Sequence, residues 1–459
     1  MKLPIVRLVL TVLLAPIVVF AQATKPVNIT KAELDEHVRT FIDGQYCPGM
    51  VIGIIDSSGP KVFGYGSAVK GGQQPPTGDT LFELGPATKL LTATLYAQMA
   101  QAKEVQGNQA VDTLLTDMKI PAFGGNKIWL GHLASHTSGL PGNPPNSSAQ
   151  ADNPFLGYTQ RQFKEFLAAY PLPRLPGDRY DYSNIGYALL AQSLAKKNNK
   201  TFEQTVIERI CMPLGMKDTR ITLTDDLRPR LAHAYTVDGD EVNYWESPPM
   251  EGAVGFKTTA NDMLKFCAAH IGTAPAPFAD AIKSMQSRQI DVDRQNDMGI
   301  GWLIGRKYNI LWLNGETAGQ HCFIGCMPKN KTAIVVLANS SFKFIDAMAS
   351  ALVKALAGER VVPALLKVPA TIDPNVLQAY DGEYAVDRSD QSLTVSHNGT
   401  SLFLQPTNQP KLHLYAEDES NFFAKSMQAR VEFRRGEDGK VQYLVFHTGG
   451  QQIPARKVK

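Results

Sequence analysis

Apolar residues recur along this chain in two periods, and the change from one to the other divides it. Near the start the period is helical. Leu34, Val38, Phe41 and Ile42 fall on one face, as 3.6 residues per turn requires. Thr30-Lys31-Ala32-Glu33 has capping-box spacing, and Gly44 is placed to stop the helix. Residues 50–55 and 61–65 are short β runs around Ser57-Ser58-Gly59-Pro60, which predicts a hairpin. Residues 87–99 contain no Gly or Pro, and Leu91, Leu95 and Met99 fall four apart, so a helix is predicted there. Gly85 suits its N-cap. Pro86 suits its first position, where the N–H that Pro lacks would have no intrahelical partner. Residues 333–338 follow as an apolar strand and 347–356 as a helix. Beyond residue 373 the period becomes two: Leu393/Val395, Leu402/Leu404, Leu412/Leu414, Val431/Phe433 and Val441/Tyr443/Val445. Asn398-Gly399 and Asp438-Gly439 mark hairpin turns between these runs.

Length and composition add limits to this pattern. A chain of 459 residues with 44% apolar and 19% charged residues has room for two or three globular domains. A net charge of +3 is small for that length and argues against nucleic acid as a partner. Lys2 and Arg7, an apolar run over residues 8–20 and Ala21-Gln22-Ala23 together predict a secretory signal cleaved after residue 23. The run is short for a bilayer span, so no stable membrane span is expected after cleavage. The mature protein is expected in the periplasm or outside the cell. The predicted organisation is a signal at 1–23, a main domain at 24–360, a Pro-containing linker at 361–372 and a β domain at 373–459. The five cysteines are scattered and odd in number, so they define no disulfide framework. Cys322 and Cys326, four apart in a predicted strand, would be about 13 Å apart and too far to bridge. They are expected to be small buried hydrophobes.

Three stretches carry candidate chemistry. The first is Phe82-Glu83-Leu84-Gly85-Pro86-Ala87-Thr88-Lys89. The second is Tyr182-Ser183-Asn184, preceded by Leu133-Ala134-Ser135-His136-Thr137-Ser138-Gly139-Leu140. The third is Asn314-Gly315-Glu316-Thr317-Ala318-Gly319-Gln320-His321. Together they resemble the serine β-lactamase and penicillin-binding-protein superfamily, in its class C branch with the related esterases and D-peptidases. The resemblance implies an α+β fold of the β-lactamase/transpeptidase type: an antiparallel sheet flanked by helices, plus a helical lobe. It also implies a small lipocalin-like antiparallel β-barrel at the C-terminus. In that family the first motif is Phe-Glu-x-Gly-Ser-x-x-Lys, with Ser as nucleophile. Here Pro86 stands at the Ser position. The family roles then fall on Lys89 as part of the base and on Tyr182 as the phenol that shuttles a proton with it. Asn184 is implied to bind a substrate carbonyl. His136 is implied to pack beneath the site, although a bare His-x-Ser string is also compatible with a triad. The third motif, Lys-Thr-Gly or His-Thr-Gly, aligns with Glu316 in the cation position and Thr317 beside it. Gly319 is then implied as an oxyanion donor. No metal and no cofactor are implied.

Several strings elsewhere imitate these motifs. Ser-x-x-Lys recurs at Ser58, Ser193 and Ser340 without the Phe-Glu-x-Gly lead-in, and His447-Thr448-Gly449-Gly450 spells a third motif within the C-terminal β domain. None is expected to replace the first-motif nucleophile. Thr88 is about 100° around the helix from Lys89 and cannot stand in for a group one turn earlier.

Pro86 removes both a hydroxyl and a backbone N–H. Loss of the nucleophile costs a serine hydrolase roughly 10⁶ in kcat, and loss of an oxyanion donor ~10²–10³. Two readings follow. In the first, the protein is impaired or inactive in acyl-enzyme hydrolysis and binds a small-molecule or peptide ligand, with peptidoglycan among the candidates. In the second, it is an esterase, D-peptidase or β-lactamase-type hydrolase that uses Lys89, Tyr182 and Glu316 in a different mechanism. At the cation position, Glu316 would repel a substrate carboxylate.

Overall fold

A computed structural model of the chain describes residues 28–147, 153–246 and 248–458. The predicted signal at 1–23 lies outside the described residues. The first helix, Lys31–Asp43, opens on a complete capping box. Thr30 Oγ1 accepts the Glu33 N–H at 3.2 Å, and the Glu33 carboxylate accepts the Thr30 N–H at 2.8 Å. Gly44 ends it because a Cβ there would lie 2.6 Å from the Thr40 carbonyl oxygen. The left-handed residue is the next one, Gln45, with φ of 53°. The hairpin strands are Gly49–Asp56 and Gly59–Gly66. Asp56 pairs with Gly59, so Gly59 and Pro60 belong to the second strand and the turn is only Ser57-Ser58.

This hairpin joins an eight-stranded antiparallel sheet. From one edge the order is Gly59–Gly66, Gly49–Asp56, Thr332–Ala338, His321–Met327, Ile310–Glu316, Leu303–Gly305, Asn296–Met298 and Ile290–Asp291. The N-terminal hairpin thus sits beside the last strand of the domain. Helices Lys31–Asp43 and Phe344–Leu356 cover one face, over Met50, Ile52, Ile54, Ile334, Val336 and Ala338. A helical lobe covers the other face, over Val51, Ile55, Ala333, Val335 and Leu337. With both faces buried, the central strands are buried at every position instead of alternating. All five cysteines are buried and free, Cys322 and Cys326 within one strand.

The helix behind the cleft is Lys89–Gln101, entered through a 3₁₀ turn at Gly85–Thr88. Gly85 is not an extended N-cap. Its φ is 49°, a left-handed step, and the α-helix begins three residues later than the pattern predicts. Every residue from Lys89 to Ala97 is buried, as is Met99. The four-residue apolar spacing therefore understated how deeply this helix runs through the lobe.

Residues 359–373 form no helix or strand, yet they are held along the main domain. Thr40 Oγ1 donates to the Ala364 carbonyl at 3.2 Å and Tyr46 OH to the Lys367 carbonyl at 3.0 Å. The chain then closes an eight-stranded barrel, from Gly382–Val386 to Gln451–Lys457, whose first and last strands pair. Tyr380, Tyr384, Leu404, Phe433 and Leu444 pack its interior. His447-Thr448-Gly449-Gly450 is a hairpin end of this barrel, with both glycines left-handed.

Candidate active site

Lys89 stands at the start of its helix with 1% of its surface exposed. Its amine donates to Asn184 Oδ1 at 2.6 Å and to the Ala253 carbonyl at 3.3 Å, and lies 2.9 Å from the Tyr182 hydroxyl oxygen. Tyr182 OH donates in turn to Asn184 Oδ1 at 3.1 Å. Burial drives the Lys89 pKa well below the usual lysine value and raises that of Tyr182 above the usual phenol value. An amine whose pKa is lowered and a phenol in contact with it form a pair that can pass a proton. Asn184 is held by its own helix start and by Asn143, whose Oδ1 accepts from Asn184 Nδ2 at 2.7 Å.

His136 lies under this group. Its Nδ1 accepts the Ser183 N–H at 3.0 Å, and its ring packs 4.8 Å from the rings of both Tyr182 and Tyr187. Burial, then the nearby Lys89, push its pKa well down. With one nitrogen occupied and, among the described residues, no hydrogen bond to a serine hydroxyl, His136 supports the backbone at Tyr182-Ser183.

Pro86 sits in the 3₁₀ turn, one turn before Lys89, with its carbonyl 3.5 Å from the Lys89 amine. It offers no N–H. The following donor, Ala87 N–H, is taken by the Leu84 carbonyl at 3.0 Å.

The strand Ile310–Glu316 runs directly against this turn. A Cβ on Gly315 would lie 2.0 Å from the Leu84 carbonyl oxygen and 2.9 Å from the Ala87 nitrogen. Its partner across the pair is Cys322, whose thiol reaches the same Leu84 carbonyl. Side chains alternate along a strand, so Leu313 and Gly315 face the lobe while Asn314 and Glu316 face the other way. Asn314 Nδ2 donates to Asp346 Oδ2 at 2.7 Å, and His321, which pairs with Glu316, lies 2.8 Å from Asp346 Oδ1. Glu316 belongs to that second face. Burial raises its carboxyl pKa, Lys343 and His321 draw it back and Asp346 raises it again. Lys89, Tyr182, Asn184 and Pro86 are therefore brought together, and Glu316 is set on the far side of its strand.

Thr317 and Gly319 lie in the loop that follows. Thr317 Oγ1 donates to Glu83 Oε2 at 2.8 Å, and the Glu83 N–H donates to Gln320 Oε1 at 2.6 Å. The Gly319 carbonyl accepts the Tyr235 N–H at 2.9 Å, and a Cβ on Gly319 would meet Val242 Cγ2 at 2.4 Å. The Thr317 hydroxyl is thus turned inward to a buried carboxylate. Neither Asn143 nor the Ala253 carbonyl was marked in the sequence. Asn143 lies in a polar loop without a motif, and any residue type supplies a backbone carbonyl.

The pattern of the Beta-lactamase family matches residues 34–358. The chain belongs to that family. A second pattern, a domain of unknown function (DUF3471), matches residues 366–456, the barrel. Among curated relatives, the D-alanyl-D-alanine-carboxypeptidase/endopeptidase AmpH of Escherichia coli (strain K12) is 27% identical over 355 residues, covering 72% of this chain and 91% of the relative. Penicillin-binding protein 4* of Bacillus subtilis (strain 168) is 23% identical over 422 residues, covering 86% and 91%. The fold matches the octameric penicillin-binding protein homologue from Pyrococcus abyssi with a TM-score of 0.64 at 18% identity, over 93% of this chain and all of that one. Within this Beta-lactamase-family fold the decoy serines are occupied. Ser58 Oγ donates to Asp56, Ser193 Oγ to the Leu189 carbonyl and Ser340 Oγ to the Tyr46 carbonyl.

Proposed function

We propose that this Beta-lactamase-family protein binds a peptide-, ester- or cell-wall-like ligand in its cleft without acyl-enzyme turnover. The observation that carries the reading is Pro86. It fills the place one turn before Lys89 with a residue that has neither hydroxyl nor N–H, while Lys89, Tyr182 and Asn184 stay in register around it. Export through the segment ending Ala21-Gln22-Ala23 would place it in the periplasm or medium, where cell-wall peptides are available.

The third motif is better placed at Leu313-Asn314-Gly315 than at Glu316-Thr317-Ala318. Gly315 is the position where a side chain would collide with the nucleophile turn, and Leu313 is the residue two before it on the same face. The cation position then holds a buried leucine. A ligand carboxylate finds no partner there, which favours uncharged esters or amides. The second reading, hydrolysis by another mechanism, draws support from the buried Lys89 amine, its pKa lowered by that burial, beside Tyr182. It would proceed without Glu316.

Intact-mass analysis after exposure to p-nitrophenyl acetate and to a penicillin tests the proposal. The wild type should carry no adduct. Pro86→Ser restores hydroxyl, N–H and Ser-x-x-Lys spacing together, and should be acetylated by the ester while remaining poor with the penicillin. Ester turnover by the wild type that Lys89→Ala abolishes would overturn the silent-site reading in favour of the second.

A further inference from the structure

The Beta-lactamase-family domain and the barrel enclose between them a cavity of about 890 Å³, far from Lys89 in the chain and lined by residues of both units. Its barrel wall carries an apolar patch beside Thr400, Ser401, His413 and Tyr415. Leu377, Leu402, Leu414 and Phe422, all members of the barrel core, line it at the barrel mouth. Lys425 reaches into the same space with only 6% of its surface exposed. Its ammonium donates to the Gln45 carbonyl at 3.2 Å and lies 3.8 Å from the centre of the Tyr415 ring and 5.1 Å from that of Tyr46. An ammonium has three N–H groups, and among the described residues this one has a single oxygen acceptor. No carboxylate lies within ion-pair distance of it among the described residues. Asp238, on the cavity wall, instead accepts the Tyr415 hydroxyl at 3.1 Å. Lys70, a second cation on the wall, donates to the Gly239 carbonyl at 2.6 Å.

A buried, under-satisfied cation beside an apolar patch costs free energy until an anion meets it. Ligand pockets of this size combine apolar lining with placed polar groups, as this one does. We propose that the cavity is a binding site for a small amphiphilic anion. The carboxylate would accept from Lys425, and the apolar body would lie over Leu402, Leu414 and Phe422. Burial lowers the Lys425 pKa to about 8, against the pull of Asp238, and a bound anion would restore it. This site is independent of the cleft and of Pro86.

Titration calorimetry of the full chain with decanoate, 1-decanol and decyltrimethylammonium decides the sign of charge on the wild type alone. Decanoate should occupy one site per chain and bind about ten-fold or more tighter than the cationic analogue. Lys425→Met should weaken decanoate by about ten-fold and leave decanol within about two-fold, while Lys425→Arg retains binding. Leu402→Trp, which fills the cavity, should weaken decanoate and decanol together. Equal binding of the anion and the cation, no binding of decanoate, or a folded Lys425→Met with unchanged decanoate affinity would each overturn the proposal.

Discussion

Lys89 combines three properties: near-complete burial, a helix start and, among the described residues, no carboxylate at ion-pair distance. Its partners are a phenol, a carboxamide and a backbone carbonyl, which accept hydrogen bonds without supplying charge. Burial therefore lowers the pKa of the folded amine well below its ordinary value of 10.5. At pH values between the folded and the unfolded pKa the unfolded chain binds more protons than the folded chain. Stability from this residue accordingly rises with pH toward the unfolded value, by up to about 1.4 kcal/mol per pH unit. Lys89→Met deletes the proton. Urea unfolding between about pH 7 and 9.5 should show the wild type gaining stability relative to Lys89→Met as pH rises. A pH-independent difference would mean that the folded amine is charged. The residues of this site were legible from motif spacing because Lys89, Tyr182 and Asn184 belong to short contiguous strings. Asn143, which orients Asn184 from a loop 41 residues away, was not.

At the scale of elements, the cleft is set by how closely the strand Ile310–Glu316 approaches the turn Gly85–Thr88. That approach depends on the missing side chain of Gly315. Gly315→Ala would drive a methyl into the Leu84 carbonyl and the Ala87 nitrogen, both backbone atoms that cannot rotate aside. The expected loss is at least about 1–3 kcal/mol of stability, read as a lower denaturant midpoint with an unchanged slope. A variant as stable as the wild type would show that the strand and the turn can separate. The pairing of Gly315 with Cys322 and of Glu316 with His321 decides which side chains face Lys89. A one-residue shift along a strand exchanges its faces. Aligning the third motif three residues later therefore placed a carboxylate in the cleft that the sheet directs to the opposite side, toward Lys343 and Asp346.

At the scale of the whole molecule, the barrel is docked and not merely tethered. Phe423, from a barrel strand, is buried in the same cluster as Phe41, Met50, Ile345 and Leu352 of the main domain. Ala370 N–H donates to the Ala416 carbonyl at 2.8 Å, and an ion pair joins Lys367 to Glu417. Phe423→Ala should cost about 3–5 kcal/mol and uncouple the two units. Calorimetry should then resolve two transitions where the wild type shows one. A single transition at an unchanged temperature would remove Phe423 from the shared core.

The amino-acid sequence by itself determined the family, the fold class, the barrel and the absence of a serine nucleophile at residue 86. Each of these is written in local order: a capping box, a helical or two-residue period, a motif of contiguous residues. Proline at residue 86 has the same chemical deficit in any conformation. The tertiary structure alone decided which face of the third-motif strand turns to the helical lobe, that Lys89 is buried and its pKa lowered, and that a buried Lys425 lines a cavity between two units. The burial of Lys89 and the docking of Lys425 against Gln45 are set by contacts between residues far apart in the chain, and no local pattern encodes the distance between them.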